Sequence, residues 1–200
     1  MNDFEFQSLL NIGIYKKKLK YIDNNKIYKE IKKYSKSLND SFNLDKIQSY
    51  EDQTFPFDGL ECNKLVNSLS SEVSSAIGRE MLLTEIWTLT LKNGQSVGYH
   101  SHKSNSHLHP SEYYSIAYYV NVPVGSSDVQ FKITACNTLE SSVFIKAEDG
   151  LLIIFNSFIP HMTNRHNNID EDRVVISANF SPKDPTLTLN PDWTPYWDKK

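Results

Sequence analysis

Cysteine is nearly absent from this chain of 200 residues, with only Cys62 and Cys136 present. Their spacing fits no metal or redox motif, which argues against a zinc ribbon and a Cys-x-x-Cys centre. A single long-range disulfide is one option, and two free buried thiols are the expectation. Arginine is scarce as well and stands only at 79, 165 and 173. The formal net charge of −3 provides no overall attraction to nucleic acid or an anionic membrane. No apolar run approaches the roughly 20 residues a membrane span needs, and the start, Met-Asn-Asp-Phe-Glu-Phe, lacks the basic and then apolar regions of an export signal. A cytoplasmic protein with no membrane partner is therefore expected. Internal repeats and long low-complexity segments are also missing.

Apolar residues make up 39% of the chain, with 10 Phe, 11 Tyr and 3 Trp, enough to build one core. A single domain is expected, in three parts: residues 1–80 as a helical N-terminal part, 81–181 as a β-rich core and 182–200 as an irregular, proline-bearing tail. Ile27, Ile31, Tyr34 and Leu38 recur at helical spacing, and so do Leu65, Leu69, Val73 and Ile77. Asp58 and Glu61 form a capping-box variant before the second helix, and Gly78 can end it. The run Lys16–Lys18 reads as a solvated edge.

From Met81 the period changes to two. Thr84–Leu91, Tyr113–Val122, Val129–Thr134, Ser142–Ile145, Leu151–Phe155 and Val174–Phe180 read as strands separated by turn chemistry such as Asn93-Gly94 and Glu148-Asp-Gly150. Many short strands with little helix between them suggest an antiparallel sandwich or jelly roll. Alternation puts Ser115, Ala117 and Tyr119 on one strand face, expected to look inward, and Tyr114, Ile116 and Tyr118 on the other, expected to pack on the helices. Trp87 is expected in the core.

The histidines carry the chemistry. All lie between positions 100 and 166, at His100, His102, His107, His109, His161 and His166. Imidazole is the commonest metal ligand among side chains. Residues two apart on a strand share a side, so either His-x-His pair can present two rings to one ion. His161 follows an apolar strand and is a candidate third ligand. Arg173 opens the next strand and, with Ser177, could bind a carboxylate. His166 reads as a surface residue, and Arg173 could instead pair with the loop Asp170-Glu-Asp172.

The segment His107-Leu-His-Pro-Ser-Glu-Tyr-Tyr-Ser-Ile-Ala-Tyr-Tyr-Val120 resembles the His-x-His-Pro, four-residue gap, Ser-Gly-x-Tyr-Tyr-Val signature of 2-oxoglutarate/Fe(II)-dependent oxygenases. Gly150-Leu-Leu-Ile-Ile-Phe-Asn-Ser-Phe-Ile-Pro-His161 is similar to that family's Gly-x-Leu-x-x-Phe-Pro-Ser-x-x-x-His block, and Arg173-Val-Val-Ile-Ser-Ala-Asn179 to its Arg-x-Ser-Ile-Ser-x-Asn block. The resemblance implies a mainly β, double-stranded β-helix (jelly roll) with the N-terminal helices packed on one sheet. It implies Fe(II) held by His107, His109 and His161. It implies 2-oxoglutarate clamped by Arg173, with Ser177 and the barrel tyrosine Tyr119 assisting. The implied reaction is hydroxylation of a substrate with release of succinate and carbon dioxide. The substrate could be a protein side chain, a nucleotide or a small metabolite.

The chain departs from the common triad of two histidines and a carboxylate. His109 stands where an acid is usual, so water or Glu112 are alternatives for the third position, and His100 with His102 are alternatives for the pair. Ile116 and Asn156 replace a signature Gly and Pro. The rival reading is a cupin-like metal-binding or structural jelly roll without oxygenase turnover.

Overall fold

Alternating apolar residues build two antiparallel sheets, and two amphipathic helices cover one of them. The computed structural model describes residues 13–39, 50–52, 55–102, 112–136 and 139–184. In chain order the elements are β1 (Ile14–Lys18), α1 (Asn24–Asn39), β2 (Tyr50–Asp52), α2 (Leu60–Ile77), β3 (Met81–Leu91), β4 (Val97–His100), β5 (Tyr114–Asn121), β6 (Val129–Cys136), β7 (Leu139–Ile145), β8 (Leu151–Asn156), β9 (His161–Thr163) and β10 (Arg173–Pro182). The larger sheet runs β1-β8-β5-β10-β3-β2 and the smaller β4-β9-β6-β7.

The strand β5 shows how sequence parity sets the layers. Ile116 and Tyr118 point to one core, which they share with Ile27 and Ile31 of α1 and with Leu65, Leu69 and Val73 of α2. Tyr119 points to the other, between the sheets, with Phe131, Phe155, Ile159 and Val175. Both faces are thus as alternation predicts. Each fully buried Leu, Ile or Phe contributes about 1.5–3 kcal/mol of transfer free energy, so each helix is held chiefly by its apolar stripe. The side chain of Leu38 lies outside the described residues.

Polar ties fix the helices' register on the sheet. Asn24, opening α1, donates from Nδ2 to the Tyr119 carbonyl at 3.1 Å and accepts the Tyr118 hydroxyl at 2.5 Å. Lys32 of α1 pairs with Asp172, which precedes β10, at 2.5 Å. The Lys17 ammonium of β1 pairs with Glu72 of α2 at 2.5 Å.

Several expectations change. Besides helices, the first eighty residues supply β1 and β2, which extend the larger sheet at its two edges. The capping box is not formed. Gly59 is the N-cap of α2 without a side-chain cap, and the Glu61 carboxylate accepts the Asp23 backbone N–H at 2.9 Å. Gly78 does end α2, with φ 74° and its N–H on the Ser74 carbonyl, a conformation in which a Cβ would be strained. Cys62 is free and buried. His166 is fully buried, not on the surface: one ring nitrogen lies 2.7 Å from the Glu171 carbonyl, and its backbone pairs with Gly94 and Gln95. The tail beyond residue 184 lies outside the described residues.

Candidate metal centre

Three imidazoles meet between the sheets. His100, His102 and His161 each offer a ring nitrogen, and these atoms all lie within 4.8 Å of one another. Ring centroids are 4.3 Å apart for His100 and His161, 5.1 Å for His102 and His161, and 5.3 Å for His100 and His102.

Local structure explains the convergence. In the smaller sheet His100 of β4 is the register partner of His161 on β9, and His161 that of Phe131 on β6. Val97 pairs with Thr163, so β4 carries one residue more than β9 between the two pairs, a bulge. The extra residue turns His100 inward, although strict alternation from Val97 would send it out. His102 follows two residues on, anchored by its N–H on the Ser157 carbonyl at 2.8 Å.

Each ring has one nitrogen already engaged. His100 Nδ1 lies 2.9 Å from the Gly98 carbonyl, and His161 Nδ1 lies 3.0 Å from the Ile159 carbonyl. His102 Nδ1 lies 2.7 Å from Asn179 Oδ1. A carbonyl or amide oxygen can only accept, so each Nδ1 carries the proton and each Nε2 presents a lone pair. This is the tautomer a metal takes. Burial, and after it the neighbouring His100, lowers the His161 pKa to about 3, so the ring is neutral at ordinary pH and free to ligate.

A cavity runs from these rings to Arg173, with Trp87, Tyr119 and Ser177 in its wall. No Asp or Glu lines it among the described residues. Ser177 is the register partner of Trp87, and Arg173 lies four residues back along β10, roughly 13 Å of strand. The imidazoles and the guanidinium therefore mark different depths of one space. Arg173 is 2% exposed, and its Nε and Nη1 have no hydrogen-bond partner. Its guanidinium carbon lies 5.1 Å from the centre of the Tyr119 ring. Burial pushes the Arg173 pKa down and the Tyr119 pKa up, and the two groups oppose these shifts in each other. Such a cation is costly to bury unpaired. A carboxylate entering the cavity would supply what the fold does not.

His161, Tyr119, Arg173 and Ser177, all singled out in the sequence, thus share one cavity. His107 and His109 lie outside the described residues, and His100 and His102 stand beside His161. Glu112 points elsewhere, its carboxylate taking Arg79 Nη1 at 2.9 Å. Asp172 is engaged by Lys32, not by Arg173. Trp87 is buried, as expected of a core residue, and it also lines the cavity with its ring centre 5.4 Å from that of His102. No sequence signal separated these roles, because an inward-facing aromatic at mid-strand suits either.

No family model matches the sequence, and no curated protein matches it. Solved structures do match the fold. The non-haem α-ketoglutarate-dependent carbocyclase SnoK from nogalamycin biosynthesis aligns with TM-score 0.66 at 11% identity, over 88% of this chain and 82% of that one. A Pseudomonas putida prolyl-4-hydroxylase aligns at 0.58 and 10% identity, over 86% and 94%. HygX from Streptomyces hygroscopicus, with nickel and 2-oxoglutarate bound, aligns at 0.56 and 14% identity, over 86% and 84%. At these identities the likeness is one of fold.

Proposed function

We propose that this chain is a non-haem Fe(II), 2-oxoglutarate-dependent dioxygenase on a double-stranded β-helix, with His100, His102 and His161 as its metal ligands. The observation that carries the reading is the pairing, in one cavity, of three imidazoles with a buried guanidinium whose Nε and Nη1 have no hydrogen-bond partner. A plain metal module needs no such cation. The fold shared with SnoK and HygX, whose descriptions name α-ketoglutarate and 2-oxoglutarate, supports it further.

When bound, Fe(II) and 2-oxoglutarate supply the oxidising chemistry: dioxygen is reduced, the keto acid is lost as succinate and carbon dioxide, and one oxygen atom goes to the substrate. The chain's part is to hold and orient. The imidazoles bring no negative charge, so the cation's charge is left to attract an anionic cosubstrate. Arg173, whose Nε and Nη1 lack partners, would hold the far carboxylate, and its rigid planar fork would set the direction of the molecule. Ser177 of β10 and Tyr119 of β5 would flank it, and Trp87 and Phe155 add apolar surface to the same wall.

Anaerobic addition of Fe(II) and then 2-oxoglutarate should raise a visible charge-transfer band, and admission of air should yield succinate. Metal binding with neither band nor succinate would select the cupin-like alternative. His100→Ala should abolish the band, whereas His107→Ala and His109→Ala should keep it; the reverse pattern would return the ligand pair to the later histidines. Arg173→Ala should weaken 2-oxoglutarate about 10- to 100-fold, the worth of 1.5–3 kcal/mol in charge-assisted bonds, and leave metal affinity unchanged.

A further inference from the structure

His102 differs from the other two ligand candidates in what holds it. His100 and His161 donate to main-chain carbonyls two residues away, but His102 donates to a side chain on another strand. That side chain, Asn179, belongs to a network along one cross-strand row of the larger sheet, where Glu85, Asn179, Ser115 and Phe155 are successive register partners.

The polarity of this network is determined from its outer end. Asn179 Nδ2 lies 2.7 Å from Glu85 Oε2. An ionised carboxylate only accepts, so the amide nitrogen must face Glu85 and the amide oxygen must face inward. Asn179 Oδ1 then receives Ser115 Oγ–H at 2.7 Å and His102 Nδ1–H at 2.7 Å. Ser115 has its one proton committed there, so it accepts in its other two contacts, from Ser157 Oγ at 2.8 Å and, as the weaker branch of a shared bond, from His102 Nδ1–H at 3.1 Å. The His102 proton therefore belongs on Nδ1, and Nε2 carries the lone pair. The amide thus converts the position of an outer carboxylate into the choice of tautomer at the ring.

We propose that Asn179, oriented by Glu85 and Ser115, is a positioning residue that locks His102 in its metal-binding tautomer. This rests on His100, His102 and His161 forming the metal site. The lock falls on His102, whose Nδ1 meets the Asn179 side chain where the other two rings meet carbonyls two residues away.

Co(II) is the probe, followed by its d–d absorption and by calorimetry on the full chain. Asn179→Ala removes the acceptor and should weaken Co(II) about 10- to 100-fold, the usual loss when a ligand's outer partner is removed, with altered d–d intensity. Asn179→Asp offers an oxygen to the same proton and should restore Co(II) affinity to within a few-fold, even though it sets a second acid against Glu85 and lowers thermal stability. A merely structural role would make affinity follow stability through both variants. Imidazole nitrogen NMR of the metal-free wild type should show His102 as the Nδ1–H tautomer, and Glu85→Gln, whose amide can also face Asn179 with its nitrogen, should give a tautomer mixture. The proposal is overturned if Asn179→Ala binds Co(II) as the wild type does, or if metal-free His102 is protonated on Nε2. If wild type fails to bind Co(II) while His102 still shows the Nδ1–H form, the metal reading fails and the lock stands as a bare hydrogen-bond device.

Discussion

The ionisation of His161 has a consequence that can be measured without any metal. Its pKa in the fold is about 3, against an ordinary 6.5, because burial disfavours the charged ring. As pH falls below 6.5, the unfolded chain takes up this proton and the folded chain does not. The stability present above pH 6.5 is therefore lost as pH falls toward 3, by up to about 1.4 kcal/mol per pH unit. Urea denaturation of metal-free protein should show a loss of about 2 kcal/mol between pH 6.5 and 5 from this residue, and His161→Gln should flatten that slope. The sequence identified His161 by its place after an apolar strand, and Arg173 and Ser177 by their place on the next one. Between the His-x-His pairs it favoured His107 with His109, for their register with Pro110, Ser115 and Tyr119, and kept His100 with His102 as the alternative. Both have the same local spacing, and what separates them is the partnership of His100 with His161 across two strands far apart in the chain.

Among the elements, long alternation was legible and short or interrupted alternation was not. The strands β3, β5, β6, β8 and β10 follow the apolar period, and their predicted bounds differ mainly at the ends. Four strands left little trace. In β1 nearly every residue is exposed, β2 and β9 are three residues long each, and β4 has Gly98 and a bulge that breaks its period. That bulge also brings His100 to the imidazole cluster, so one irregularity hid both the strand and this ligand candidate. The stripe of α2 was readable because Leu65, Leu69 and Val73 are all fully buried, whereas the capping box failed because Glu61 is drawn to the Asp23 N–H instead. The helices cover the sheet face opposite the cavity. Leu69→Ala should therefore destabilise the protein by about 2–5 kcal/mol in urea titrations, with Co(II) affinity unchanged in the folded population.

At the scale of the whole molecule, the two sheets divide the labour. The smaller sheet contributes His100 and His161, the larger contributes Arg173, Ser177, Tyr119 and Trp87, and the space between them holds a cation with no counter-charge among the described lining residues. Ligation and folding are consequently linked. A dicarboxylate at a hundred times its dissociation constant should raise unfolding free energy by about 2.7 kcal/mol, seen as a higher melting temperature, and Arg173→Ala should cut the rise to about 0.4–1.4 kcal/mol at the same concentration. The same linkage bears on the end of the proposed catalytic cycle. Succinate would retain the terminal carboxylate that Arg173 would grasp, the one beside the ion having left as carbon dioxide and the keto carbon having become a carboxylate, so the spent acid would leave against the pull of its anchor. Fresh keto acid must then displace it, and accumulated succinate should slow turnover by competing for the anchor.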